Sequence, residues 1–233
     1  MRFVIQDIQM VDLKQLQTKY NNFFMPISLT TPNNFCNLSI QNLTNVFGIK
    51  RADDLKFPKV ELQLDTSKLE NIINTSRTKI DYWTEQELVI KHLSLIFEIA
   101  NLEGENYSTF AQRPISATVE GYDFGGYVDF VVASGQYEPT IPYFFVHEFK
   151  KSLNQSGDPF AQLLGELLVA QELNQSKLVY GLVIVGKLWN FITMNGKEFS
   201  QEESLDSTNF ADLSQIFYRL NGIKQYIEIE VKK

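Results

Sequence analysis

Cysteine and histidine are nearly absent. The 233-residue chain has one cysteine, Cys36, so no internal disulfide framework is open to it. With only His92 and His147 beside that thiol, a Cys/His zinc cluster is excluded as well. No apolar run is long enough to span a bilayer, and the opening MRFVIQDIQMVD meets charge too early for a signal peptide. There is no internal repeat, no low-complexity tract, no G-x-S-x-G elbow, no P-loop and no G-x-G-x-x-G fingerprint. GYDFGG has glycines, but it lies between strand-like runs and leads into no helix, so it lacks the helix N-terminus that would cradle a phosphate. These absences predict a soluble cytoplasmic protein with no membrane partner.

Positive charge is short in one region. The net charge is -7, yet residues 1–83 carry 10 Lys and Arg against 8 Asp and Glu, while residues 84–203 carry 7 against 16. An acidic middle argues against a non-specific polyanion binder, because phosphate contacts need Lys and Arg. It is consistent with a carboxylate cluster that a divalent metal neutralises, and equally with an acidic solvated surface.

What is present is a substantial core. Apolar residues make up 44% of the chain and charged residues 21%, which excludes wholesale disorder. The length suits one domain with an appendage. Residues 1–83 read as a less regular N-terminal extension, with a strand and helix over 3–21, an irregular stretch over 22–66 in which Asn, Thr and Pro cluster in SLTTPNNF and RADDLKFPK is a charged patch, and some strand around Val60–Leu64. Residues 84–233 read as the core. Thr84 and Glu87 form a capping-box pattern, and helical periodicity runs to about Asn101. Strands follow over 107–119, with a polar interruption at Gln112–Pro114, and over Tyr127–Ala133 after a GYDFGG turn. ASGQYEPTIP reads as a loop and Tyr143–Lys150 as a third strand. Asp158-Pro159 caps a helix to about Asn174. Lys177–Val185 and Trp189–Met194 read as paired strands, residues 209–221 as a helix, and YIEIEVK as a last strand. Strands adjacent in sequence, then a helix crossover, predict an α/β fold: a mixed sheet flanked by helices in three α/β/α layers.

The stretch YFFVHEFKKS ends an apolar strand on charge. Alternation puts Glu148 and Lys150 on one face, with His147 and Phe149 on the other. Asp129 lies in the preceding strand, 19 residues before Glu148, a spacing that suits a hairpin. Two carboxylates held together repel, and burial makes the pair costlier, so something must compensate. Mg²⁺ or Mn²⁺ would do so through hard oxygen ligands, with Lys150 holding a water or stabilising phosphate charge. The alternative is a buried ion pair within a sheet.

Gly-x-x-Asp (GYVD, ending at Asp129) followed by Glu-x-Lys (HEFK, Glu148 and Lys150), set between two helices, resembles the PD-(D/E)XK nuclease superfamily over residues 84–195. Val128 stands where the proline of the name would be. The resemblance implies a restriction-endonuclease-like core and a Mg²⁺-dependent nuclease, acting on nucleic acid, DNA in the first instance, with Mn²⁺ able to substitute. It implies that Asp129, Glu148 and the backbone carbonyl of Phe149 bind the metal, with Lys150 activating water. Members often add an acidic residue from the first helix. At about 100° per residue Glu85 shares the stripe of Val89, Leu93, Ile96 and Ile99, whereas Glu87 and Glu98 face away. A first-turn acid favoured by the helix dipole is the plainer account of Glu85. RecB-like members use a glutamine on the second helix. Gln162 matches by position, while Glu166 stands where some of those relatives have tyrosine. Polar residues bordering a core would explain both equally. His92 falls inside the apolar stripe and reads as a hydrogen-bonded core histidine. Trp189 and Phe191 read as packing residues. Two other functions remain open: a catalytically inactive nuclease fold serving as a binding or assembly module, and a homo-oligomer or subunit of a larger restriction or defence complex.

Overall fold

Two periodicities, one of strands and one of helices, build the described part of the chain, residues 33–150 and 157–232 of a computed structural model. The strand and helix expected over residues 3–21 lie outside the described residues. In chain order the elements are β1 (Asn33–Asn34), α1 (Ile40–Phe47), β2 (Lys50–Arg51), α2 (Thr66–Ser76) and α3. Helix α3 runs over Glu85–Leu88, through a π-turn at Val89–Leu93, and on over Ser94–Ala100. Then come β3 (Tyr107–Val119), β4 (Tyr122–Ser134), β5 (Thr140–Lys150), α4 (Pro159–Asn174), β6 (Leu178–Val185), β7 (Leu188–Asn195), β8 (Glu198–Gln201), β9 (Leu205–Asp206) and α5 (Phe210–Glu230).

The strands form one mixed sheet. β3 and β4 make an antiparallel hairpin, β4 and β5 pair antiparallel, and β5 and β6 run parallel across the α4 crossover. β6, β7 and β8 continue antiparallel, and β1 and β2 add short parallel pairings to β4 and β8. Alternating side chains feed two cores. Phe145, Leu182, Ile184, Trp189 and Phe191 join residues of α2, α3 and α5. Val131, Val146, Val183, Ile192 and Met194 join residues of α1 and α4. The protein is therefore an α/β fold with helices on both faces of a mixed sheet. Residues 33–83 feed both cores, Phe35, Leu43, Phe47 and Ile49 on the α4 face and Phe57, Leu69, Ile72 and Ile73 on the other. Among the described residues no helix is long and apolar enough to cross a membrane.

Local signals decide several ends. Thr84 Oγ1 accepts from the Glu87 N–H and the Glu87 carboxylate accepts from the Thr84 N–H, closing the capping box. Asp158 Oδ1 accepts from the N–H groups of Phe160 and Ala161 ahead of α4, with Pro159 in the first turn. Glu120 and Gly121, at φ 50° and 86°, turn the β3–β4 hairpin in two residues.

Three expectations fail, each through tertiary packing. GYDFGG is not a turn: β4 already starts at Tyr122, and Gly126 lies within the strand, where the Phe35 ring occupies the space a side chain would take. Val60–Leu64 is not a strand. The Val60 N–H donates to the Tyr218 carbonyl and the Val60 carbonyl accepts from Asn221 Nδ2, so the backbone runs along α5 rather than a sheet edge. YIEIEVK is helical to Glu230, not a strand. Leu213, Ile216, Leu220, Ile223 and Ile227 are all fully buried at helical spacing, and that stripe overrides the local alternation. Gly222, just past the expected end of the helix over 209–221, is a contact: a Cβ on it would stand 2.4 Å from the Pro58 carbonyl group.

That contact reverses the usual sign of a helix substitution. Gly→Ala inside a helix ordinarily stabilises by about 0.5–1 kcal/mol. Gly222→Ala should instead destabilise by about 1–3 kcal/mol, because backbone must move to admit the methyl group. Urea denaturation midpoints measure this, and a stabilised variant would disprove the contact.

Candidate functional site

The site forms where two strands part. β4 and β5 pair from Ser134↔Thr140 to Phe130↔His147 and no further. Beyond that point β4 pairs with β1 instead, through Asn33↔Phe124 and Asn34↔Gly125. The Asp129 side chain takes up the broken ladder, its Oδ2 accepting from the Phe149 N–H at 3.2 Å. The N–H and C=O of one strand residue point to the same edge, so the Phe149 carbonyl is directed into the same gap. The other Asp129 oxygen, Oδ1, accepts from Gln112 Nε2 at 2.8 Å.

Glu148 is fully buried on the α4 face. The Lys150 ammonium lies 2.8 Å from its Oε1, an ion pair rather than a well-angled hydrogen bond. Its Oε2 accepts from Gln162 Nε2 at 2.8 Å. That amide nitrogen also reaches Glu166 Oε1 at 3.4 Å. Glu166 is fully buried too, and its Oε2 has no hydrogen-bond partner among the described residues. The burial follows from α4, whose residues 161–170 are all buried between the sheet and α1. A helix enclosed on every side takes its polar residues inside with it.

These surroundings set the charge states. Burial, reinforced by the Asp129 charge and only partly opposed by Lys150, pushes the Glu148 carboxyl up to about 8. Burial and then the charges of Glu148 and Asp129 hold Glu166 well above the ordinary carboxyl value. Burial pulls Lys150 down, but Glu148, Asp129 and Glu85 outweigh it and the ammonium is raised.

Asp129, Glu148, Lys150 and Gln162 are thus brought together. Glu85 is half-buried, and its charge acts on Lys150. Its helix packs against the face opposite Glu148, with Leu88, Leu93 and Ile96 in the Phe145 core. The π-turn also changes the helix phase: Leu88 and His92 are buried while Val89 and Ile99 are only half-buried. Glu87 is engaged with Thr84 and Lys91, and Glu98 is exposed. His147 turns away from Glu148 and packs against Phe97, Phe130 and Phe145, where burial pushes it down to about 3. His92 lies in the core with Nε2 2.8 Å from Ser207 Oγ. Ser207 gives its own proton to the Lys187 carbonyl, so His92 Nε2 is the donor, and burial pushes the ring down to about 4. Trp189 and Phe191 are wholly buried packing residues. Sequence reasoning noted the polar break at Gln112 without a role for it, and it did not foresee that Glu166 is sealed from solvent.

Among the described residues no three His, Cys, Asp or Glu side chains form a group that would hold a metal ion. The oxygen donors are nevertheless of the hard kind that suits Mg²⁺ or Mn²⁺. Burial and mutual repulsion hold the carboxyls of Glu148 and Glu166 toward their neutral forms, and a divalent cation would favour their ionised forms. Compared with known proteins, the chain matches no family model and no curated sequence.

The raised Glu148 carboxyl predicts a pH dependence. Between the ordinary value of 4.5 and about 8 the folded protein keeps a proton that the unfolded chain has released, so stability falls as pH rises through that window. His92 and His147 act with the opposite sign, losing stability as pH falls below 6.5, because the unfolded chain then takes up protons that the fold refuses. In chelator, melting temperatures should fall more steeply from about pH 5 to pH 9 for the wild type than for Glu148→Gln, whose amide does not titrate. Parallel curves would contradict the burial of Glu148.

Proposed function

We propose that the chain is a metal-dependent nuclease with a restriction-endonuclease-like core, hydrolysing phosphodiester bonds in nucleic acid, DNA in the first instance. One observation carries the reading. A fully buried Glu148 is ion-paired with Lys150 on its own strand, beside Asp129, where β4 and β5 part. A buried carboxylate needs a compensating charge, and a second carboxylate alongside raises that need.

Asp129, Glu148 and the Phe149 carbonyl would hold the ion, and the Glu85 charge would act on Lys150. When bound, the ion supplies Lewis-acid stabilisation of phosphate oxygens and a more acidic water. The protein groups do the rest. The Lys150 ammonium, raised and anchored by Glu148, stays protonated and can orient a water or steady charge growing on the phosphate. Gln162 fixes one Glu148 oxygen through its N–H. Such chemistry yields a 5′-phosphate and a 3′-hydroxyl.

A second reading has one observation in its favour. Glu148 already has Lys150 on one oxygen and Gln162 on the other, a satisfied arrangement in which the fold serves as a binding or assembly module of a larger complex.

Two measurements separate them. Cleavage of DNA in Mg²⁺ or Mn²⁺ should drop by about 10²-fold or more in Lys150→Ala and in Asp129→Ala. Mn²⁺ should raise the melting temperature of the wild type and not of Glu148→Gln, because an ion that binds only the folded state must stabilise it. Full retention of cleavage in both alanine variants would sink the nuclease reading. Absence of both cleavage and a Mn²⁺ shift would establish the second.

A further inference from the structure

Gln112 interrupts a strand without changing its register. β3 pairs with β4 continuously up to Ala111↔Phe130 and again from Arg113↔Val128, and Gln112 opposite Asp129 is the one position left out. No residue is inserted, since the pairing resumes in step. What differs is the backbone: Gln112 has φ 53°, in the left-handed region that a glutamine in a strand ordinarily avoids. Its side chain then reaches across the hairpin and Nε2 donates to Asp129 Oδ1 at 2.8 Å.

The consequence falls on Asp129. Its Oδ2 is held by the Phe149 N–H and its Oδ1 by Gln112, so both oxygens are fixed in place and the carboxylate plane with them. Gln162 does the same for Glu148 from the opposite side. Each of the two acids thus has an amide from a neighbouring element setting its orientation. If the only need were to satisfy a polar atom at a half-exposed strand, a serine or threonine with ordinary strand geometry, or water, would serve. A left-handed glutamine is the less favourable choice of backbone, and what it uniquely supplies is the aim of that amide.

We propose that Gln112 is a positioning residue of the site. Its amide holds the Asp129 carboxylate in the orientation that receives a divalent cation, and the left-handed kink in β3 exists to deliver that amide. The assignment rests on the metal-dependent reading given above. It adds a residue from β3, an element that contributes no ligand of its own.

Gln112→Gly tests it, because glycine accepts the left-handed backbone while removing the side chain. Gln112→Asn is the companion, tolerating the same backbone with a side chain one methylene shorter. In calorimetric titration of the full-length protein with Mn²⁺, both variants should bind the ion about 10-fold more weakly than the wild type, the low end of what loss of an outer hydrogen bond to a metal ligand does. Without metal, Gln112→Gly should melt at or above the wild-type temperature, which separates positioning from folding. In cleavage assays the Mg²⁺ concentration for half-maximal rate should rise by about the same 10-fold factor, with the rate at saturating Mg²⁺ little changed. Mn²⁺ affinity within about 2-fold of the wild type in both variants overturns the role of Gln112 while leaving the metal site standing. A wild-type protein that takes up no Mn²⁺ overturns the metal reading itself, and this assignment with it.

Discussion

The burial of one carboxylate governs the arrangement around it. Bringing Glu148 to complete burial inside a sheet carries a desolvation penalty of roughly several kcal/mol unless charge and hydrogen bonds offset it. Lys150 offsets it from the same face of β5, and Gln162 offsets it from α4. Each partner makes a structural demand. Lys150 must be two residues along, which holds β5 regular to its end. Gln162 must be in the first turn of α4, which puts the Asp158 cap close to the end of β5. The net effect still leaves the carboxyl up at about 8, so the compensation is incomplete and the site remains attractive to a further positive charge.

The gap that exposes this chemistry depends on a remote part of the chain. β4 and β5 can stay apart before Phe130 because other groups satisfy the two parted edges, β1 by pairing with the β4 backbone and the Asp129 carboxylate by accepting from the Phe149 N–H of β5. The segment carrying β1 then wedges Phe35 against Gly126 of β4 and Leu38 against Gly165 of α4, two places where a side chain on the glycine would collide. Those contacts keep α4 under the hairpin, and so keep Gln162 and Glu166 beneath Glu148. A region that read as an irregular extension therefore helps to hold the site.

Opposite the site, α5 shows how packing outranks local pattern. Its last two turns have the alternation of a strand and follow an Asn-Gly pair, two local signals that agree with each other. They are overruled because Ile223 and Ile227 continue a buried helical stripe, and because Gly222 and Asn221 are both used by the extended segment at Pro58 and Val60. Both the segment at Val60–Leu64 and the C-terminal segment are thus held by α5 rather than by a sheet edge. The extended segment takes its backbone partners from Tyr218 and Asn221 of α5, and α5 continues beyond them as helix.

By itself the sequence determined the elements whose signals are local and strong. The Thr84 and Asp158 caps, the strand alternation that pairs Glu148 with Lys150, and the apolar hairpin of β6 and β7 were legible because each depends on neighbours in the chain. Asp129, Glu148 and Lys150 were legible as a set because charge on otherwise apolar strands stands out, and Gln162 was singled out by the resemblance to RecB-like nucleases. Only the tertiary structure decided the rest. Glu166 is sealed because α4 is enclosed on all sides, which its own sequence does not reveal. The charge of Glu85 acts on Lys150, and a π-turn buries Leu88 and His92 while it leaves Val89 and Ile99 half-buried, against the stripe that regular geometry predicts. Gln112 gains its contact from a backbone conformation that no glutamine signals in advance. In each case the deciding interaction joins residues far apart in sequence, and its energy exists only once the layers have come together.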